Sequence, residues 1–260
     1  MEEVEYLYHY TSIENLALIL KNKTIRLNSL DKMDDLQEQR SAEIKNFGRF
    51  TFVSCWTSDE KESIPMWNMY TPLTSGVRIK MRTRPFVQYD NVPVKQLREW
   101  AHKISGLTVS EDNTHFTTCI DANWMLSNGV ITPHALGDDI LYRVEYTDNK
   151  QELEPSVTSR KNGQLYFLCN VLGKHKNTHW DFQKEWRYLL SVYPCAPLQD
   201  DQTLPFPQHV DLQLDLACFA EMEITCSPKM TAGNRVMLET LIEKYNPRAK
   251  LVDSGLLGKI

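Results

Sequence analysis

Tyrosines recur at every second position from Tyr6 to Tyr10, a strand-like period that places Tyr6, Tyr8 and Tyr10 on one face and Leu7, His9 and Thr11 on the other. The period then changes. Ser12 stands as an N-cap, and Leu16, Ile19 and Leu20 recur at helical spacing. Beyond this helix the pattern predicts a strand in TIRLNSL and a polar loop entering another helix in DKMDDLQE. A strong strand follows in RFTFVSCWTS, then a turn or two of helix in IPMWNMY after Pro65, and a strand in GVRIKMR from Gly76. From about Pro85 to Asp139 the pattern weakens, with one candidate helix in VKQLREWAHKIS, and the stretch reads as an elaboration on the core. Strand alternation returns in ILYRVEYTD. QLYFLCNVLGKHK reads as helical, and FQKEWRYLLSVY is the clearest strand of the C-terminal half. The tail predicts strand MEITCS, helix NRVMLETLIEKYN and strand KLVDSG. The order implies one α+β domain over residues 1–260, with a mixed sheet and flanking helices.

Composition narrows the class. The 260 residues are 42% hydrophobic, enough for a sizeable core, and no apolar run is long enough to span a bilayer. The beginning MEEVEYLY is acidic and aromatic, unlike a secretory leader, so a cytoplasmic protein with no membrane partner is expected. Six cysteines are scattered without a CxxC pair, which argues for buried thiols over a zinc ribbon or a disulfide framework. A net charge of -5 argues against broad nucleic-acid binding but leaves room for a local basic patch.

Several clusters could carry chemistry. His9 is either a satisfied core histidine or a contact to a ribose hydroxyl, with Tyr10, Thr11 and Ser12 beside it at the end of the strand. In FQKEWRYLL, Gln183, Glu185 and Arg187 share one face. That face is either solvated or the edge of a cleft, where a carboxylate would stabilise the oxocarbenium-like transition state of glycosyl transfer. Ser54, Trp56, Thr57, Trp67 and Tyr70 form either an aromatic mini-core or a stacking platform for a flat heteroaromatic ring. Arg78, Lys80 and Arg82 make a basic stripe, suited to a solvated face, a pyrophosphate or a nucleic-acid backbone. His175, His179 and Asp181 could hold a metal on a helix, although Lys176 stands where a zinc protease has its glutamate. Neither a Walker loop nor a GxGxxG motif occurs, which argues against a phosphate-loop enzyme or a Rossmann dehydrogenase.

Three separated pieces, YHYTS before a short helix, SCWTS…MWNMY…GVRI in the middle and QKEWRYLL late, resemble a bacterial family of unknown function. Its members carry an [YF]-H-[YF]-T-like strand, an M-W-x-x-Y segment and a closing E-W/Y-R, and it looks like a remote relative of ADP-ribosyltransferases. The resemblance implies a mixed, split sheet that clasps NAD as co-substrate. It implies His9, with Tyr10, Thr11 and Ser12, on the adenosine side and Trp67 or Tyr70 stacked on nicotinamide. Glu185 would anchor the nicotinamide ribose, with Gln183 toward the acceptor and Arg78 or Arg187 facing the diphosphate. The middle-strand serine motif of that fold is only approximated, by Ser54, Thr57 and Ser58. The family implies a toxin or antiphage effector acting on a macromolecule, with RNA or DNA favoured over protein by the basic stripe, and it leaves room for an antitoxin partner. Two other readings stand beside it: a nucleotide- or partner-binding module with a degenerate site, and a metal-dependent hydrolase built on His175, His179 and Asp181.

Overall fold

The computed structural model describes residues 4–91, 99, 116–136, 139–161, 163–168, 170–194 and 206–260. Its frame is a nine-stranded mixed sheet with helices against it. The strands are β1 (Tyr6–Ser12), β2 (Thr24–Ser29), β3 (Thr51–Thr57), β4 (Gly76–Arg82), β5 (Leu141–Arg143), β6 (Glu185–Ser191), β7 (His209–Gln213), β8 (Glu223–Cys226) and β9 (Lys250–Val252). They run in the order β7-β2-β3-β1-β4-β8-β9, with β6 on β3 and β5 on β6. Of these pairings only β8–β9 is parallel.

The sheet forks at β3. One edge of β3 pairs with β6 along its whole length, from Thr57 opposite Glu185 to Thr51 opposite Ser191. The other edge is shared: β2 meets it at Phe52 and Val53, and β1 meets it only at Thr57, opposite Tyr8. Between those contacts no strand among the described residues lies beside Ser54, Cys55 and Trp56 on that edge. The helix α1 (Ile13–Asn22) drives β1 and β2 apart. Ser12 caps it by accepting from the backbone N–H of Asn15, and Leu16, Ile19 and Leu20 bury its inner face. The short helix α2 (Ile64–Tyr70), capped by Ser63, packs Met66 and Trp67 on Tyr10 of β1. The C-terminal helix α3 (Ala232–Tyr245) adds Leu238 and Ile242 to the main core with α1.

Two expected helices are absent. DKMDDLQE holds only a short 3-10 turn at Leu30–Lys32, followed by irregular backbone. QLYFLCNVLGKHK begins instead with the strand Gln164–Phe167, paired antiparallel with Thr158–Lys161. The physical reason is local: an Asn-Gly pair at 162–163 precedes it, and Gly163 takes φ +77°, which closes a hairpin. In FQKEWRYLLSVY the strand starts only at Glu185. Thr178–Gln183 is a 3-10 turn and Lys184 adopts φ +45°, so the alternation does not reach back to Gln183. Within the 85–139 elaboration, Tyr89–Asn91 pairs with Phe116–Thr118, and Cys119, Ile120, Met125 and Val130 join the main core. Apart from residue 99, the helix expected at 94–105 lies outside the described residues. Among the described residues no helix is long and apolar enough to cross a membrane.

Candidate functional site

The open edge of β3 is where the candidate residues meet. His9 reaches across the fork from β1, and its Nδ1 lies 2.7 Å from the carbonyl oxygen of Cys55, while its ring packs on Trp56 at 5.0 Å between centroids. Burial pulls the imidazole pKa below its ordinary value against the opposing effect of that hydrogen bond, so His9 is neutral at pH 7. The Cys55 thiol is pushed up by burial and by Glu185, which leaves it a protonated, unreactive group.

Behind the fork lies a buried network of charges. Arg187, wholly enclosed, donates from Nε to Glu185 Oε1 at 2.6 Å, from one terminal nitrogen to Glu38 Oε1 at 2.7 Å and from the other to the Gly173 carbonyl at 2.9 Å. Lys176 Nζ donates to Glu185 Oε2 at 3.1 Å and to Gln183 Oε1 at 2.9 Å, and it stands 3.7 Å from Glu38 Oε1. The Gln183 amide nitrogen in turn donates to the Tyr70 hydroxyl, and the Tyr146 hydroxyl accepts from the backbone N–H of Glu185. Burial works to raise the Glu185 carboxyl, but Arg187 and Lys176 override it and hold it at about 2. Glu38 goes the other way: burial raises it, and its share of the same two cations does not compensate. Two carboxylates on one guanidinium thus differ in proton affinity.

A chamber of about 100 Å³ opens onto this network, bounded by His9, Tyr10, Cys55, Trp56, Tyr70, Gln183, Glu185 and Arg187. It adjoins a groove of about 490 Å³, with which it shares His9, Tyr10, Met33, Asp34, Cys55 and Tyr70. The groove runs along α1 and β2 past Thr11, Asn15, Ser54 and Arg26. His9, Tyr10, Tyr70, Gln183, Glu185 and Arg187 therefore come together at the chamber, and Thr11 and Ser54 line the groove.

Several of the expected ligand contacts are placed elsewhere. Trp67 is fully buried, edge-on to Tyr10, and its indole N–H is spent on Glu62 at 2.9 Å; the mini-core reading holds for it and the stacking reading does not. Ser12 caps α1. Arg78 lies over the ring of Tyr8 at 4.5 Å, donates to the Glu60 carbonyl and borders neither the chamber nor the groove, so it does not face a diphosphate there. Arg187 lines the chamber, but all three of its guanidinium nitrogens are engaged within the protein, which removes it as a diphosphate ligand. Lys80 lies over Tyr6 at 4.4 Å, and Arg82 is paired with Glu221 at 2.8 Å. The supposed metal residues do not converge: His175 sits on the short strand His175–Lys176, His179 is exposed, and no group of three candidate ligands exists among the described residues.

Glu38, Lys176 and Tyr146 were not legible as site residues. Glu38 closes an acidic stretch that reads as a polar loop, and Lys176 sits between histidines that draw attention to metals. Compared with known proteins, the chain matches no family model, no curated protein and no solved structure.

Proposed function

We propose that the protein is an NAD-dependent ADP-ribosyltransferase with an ADP-ribosyltransferase-like split sheet, modifying a macromolecular acceptor. One observation carries the reading: His9, Tyr70, Gln183 and Glu185, drawn from four separate elements, line a single chamber at the fork of the sheet. A chamber of about 100 Å³ suits one small heteroaromatic ring, and the adjoining groove of about 490 Å³ suits the rest of a dinucleotide. Glu185, kept ionised by Arg187 and Lys176, supplies negative charge where the ribosyl cation develops as nicotinamide departs. Neutral His9 and Thr11 hydrogen-bond the nucleotide, Tyr70 flanks the ring, and Gln183, held by Lys176 and Tyr70, faces the incoming acceptor. The resemblance that suggests this activity also suggests a toxin or antiphage effector, with an antitoxin as its regulator. RNA or DNA remains the acceptor of choice through Lys80 and Arg82, the more exposed members of the basic stripe. Incubating the pure protein with labelled NAD and separate pools of RNA, DNA and protein tests the proposal. No transfer to any pool and no release of nicotinamide would remove it.

A second reading, a nucleotide-binding module without turnover, is favoured by one feature: both carboxylate oxygens of Glu185 already carry a protein hydrogen bond. NAD consumption separates the two.

A further inference from the structure

The hydrogen bonds that lead from Lys176 toward the chamber run in one direction. An ammonium only donates, so Lys176 Nζ, 2.9 Å from Gln183 Oε1, fixes which end of that amide is oxygen and which is nitrogen. Lys176 is itself immobilised, buried between Glu185 Oε2 at 3.1 Å and the ring of Trp180 at 4.7 Å. The Gln183 amide nitrogen, also a donor only, meets the Tyr70 hydroxyl, whose oxygen must therefore accept. Tyr70 keeps its own O–H hydrogen, for which no acceptor exists among the described residues.

That hydroxyl lies on the ligand side of its ring. The body of Tyr70 packs on the small core of Tyr10, Met66 and Trp67, while its tip touches Gln183. Tyr70 and Gln183 both line the chamber, Tyr70 also borders the groove, and Tyr70 is only partly buried. Burial, then Glu185, raises the phenol pKa, so the proton stays on at neutral pH. The ionisable groups that act on it, Glu185, Cys55, Asp34 and Glu38, are all chamber residues. The remaining walls restrict what it can meet. The rings of His9 and Trp56 with Met33 and Met66 suit a flat apolar body. The ionised Glu185 repels an anionic acceptor near the hydroxyl and leaves a neutral one unopposed.

We propose that Tyr70 is a specificity-determining donor of the chamber: its O–H, given its direction by Lys176 through Gln183, hydrogen-bonds a neutral carbonyl oxygen carried by a planar apolar ring. The identity of that ring as nicotinamide rests on the function proposed above; the demand for an acceptor rests on the direction of the hydrogen bonds alone. Lys176 and Gln183 are positioning residues in this role.

The test is binding of two probes to the full chain by ligand-observed NMR: acetophenone, and α-methylstyrene, which has the same shape with a methylene in place of the carbonyl oxygen. Wild type should bind acetophenone about three- to tenfold more tightly, the range of one neutral hydrogen bond. Tyr70→Phe keeps the ring and removes the donor, and the preference should vanish. Gln183→Glu leaves the Tyr70 hydroxyl in place but puts an acceptor oxygen where the amide nitrogen stood. The hydroxyl then donates to Glu at 183, and the preference should vanish again, which a purely structural Tyr70 would not produce. Both variants are measured at a temperature where circular dichroism shows them folded; if Tyr70→Phe does not fold, Gln183→Glu is used, and the wild-type comparison needs neither. Equal binding of the two probes by wild type, binding of neither, or a folded variant with wild-type preference would each overturn the inference. NAD turnover is measured alongside. Carbonyl preference without nicotinamide release leaves Tyr70 its role and removes the transferase, whereas nicotinamide release without the preference does the reverse.

Discussion

Arg187 Nε donates to Glu185 Oε1 at 2.6 Å, and the two residues alternate onto the same face of β6, so one strand carries both the carboxylate of the site and its chief counter-ion. The pair is fixed to β3 through the register that sets Glu185 opposite Thr57 and Arg187 opposite Cys55. Replacing Glu185 by Gln keeps the shape and removes the charge. ADP-ribosyl transfer should drop by about 10²–10³ or more, as when one electrostatic stabiliser is lost elsewhere, measured at a temperature where circular dichroism shows the variant still folded, because the loss of this buried charge also lowers stability. Near-normal turnover would end the assignment of Glu185.

Arg187→Lys is expected to be severe although it conserves charge. An ammonium on a flexible stem cannot serve Glu185, Glu38 and the Gly173 carbonyl at once, and the partners left unpaired are buried. The loss should be about 3–5 kcal/mol in denaturant unfolding, typical of a broken buried pair. A loss below about 1 kcal/mol would show that the network relaxes around the smaller cation.

Gly173 is the rigid end of that network. It takes φ +77°, a left-handed backbone conformation, and an added Cβ would lie 2.9 Å from Leu189 Cδ1. Gly173→Ala should therefore destabilise the fold by roughly 1–3 kcal/mol and weaken NAD binding by shifting the carbonyl that holds Arg187. Unchanged stability and binding would show that the segment shifts freely.

His9 should make the protein sensitive to mild acid. Its folded pKa lies below the unfolded value because burial disfavours the imidazolium, so the unfolded chain takes up its proton first. Stability from this group is fully present above an unfolded pKa of about 6.5 and is lost as pH falls below it toward the folded value. His9→Gln, which can still donate to the Cys55 carbonyl but does not titrate, should flatten the stability profile as pH falls below about 6.5. If the mutant and wild-type profiles coincide there, His9 is not the titrating group.

The acceptor is tested through the accessible part of the basic stripe. Lys80→Gln with Arg82→Gln spares Arg78, whose guanidinium is packed on Tyr8 and would report on folding instead. With a nucleic-acid acceptor the double variant should lower RNA or DNA modification and flatten its salt dependence, by roughly one counterion for each phosphate that is no longer neutralised. Nicotinamide release without acceptor should persist. Unaltered nucleic-acid modification would show that these cations do not touch it, and label appearing only in the protein pool would identify a protein acceptor.

Local pattern was enough for most elements. The period of two in YLYHYT and FTFVSCWT, and the switch to helical spacing after Ser12, are properties of neighbouring residues, and β1, α1, β3 and β4 form where those periods predict. The same logic failed at QLYFLCNVLGKHK, because a short apolar run does not itself distinguish strand from helix and the hairpin turn decided it. For the site, sequence placed His9 and Glu185 on strands but could not say that those strands flank one fork. Trp67 and Tyr70 share the helix α2 and look equivalent in the sequence, yet the former is sealed against Tyr10 and the latter borders the chamber. Arg187 reads as a cation available to a phosphate until tertiary structure surrounds it with Glu38, Glu185 and Gly173. Periodicity fixes which way a side chain points from its own backbone. Which charges become neighbours depends on strand register and loop paths over long stretches of chain, as in the 149-residue separation of Glu38 from Arg187, and only the assembled sheet brings them within hydrogen-bond distance.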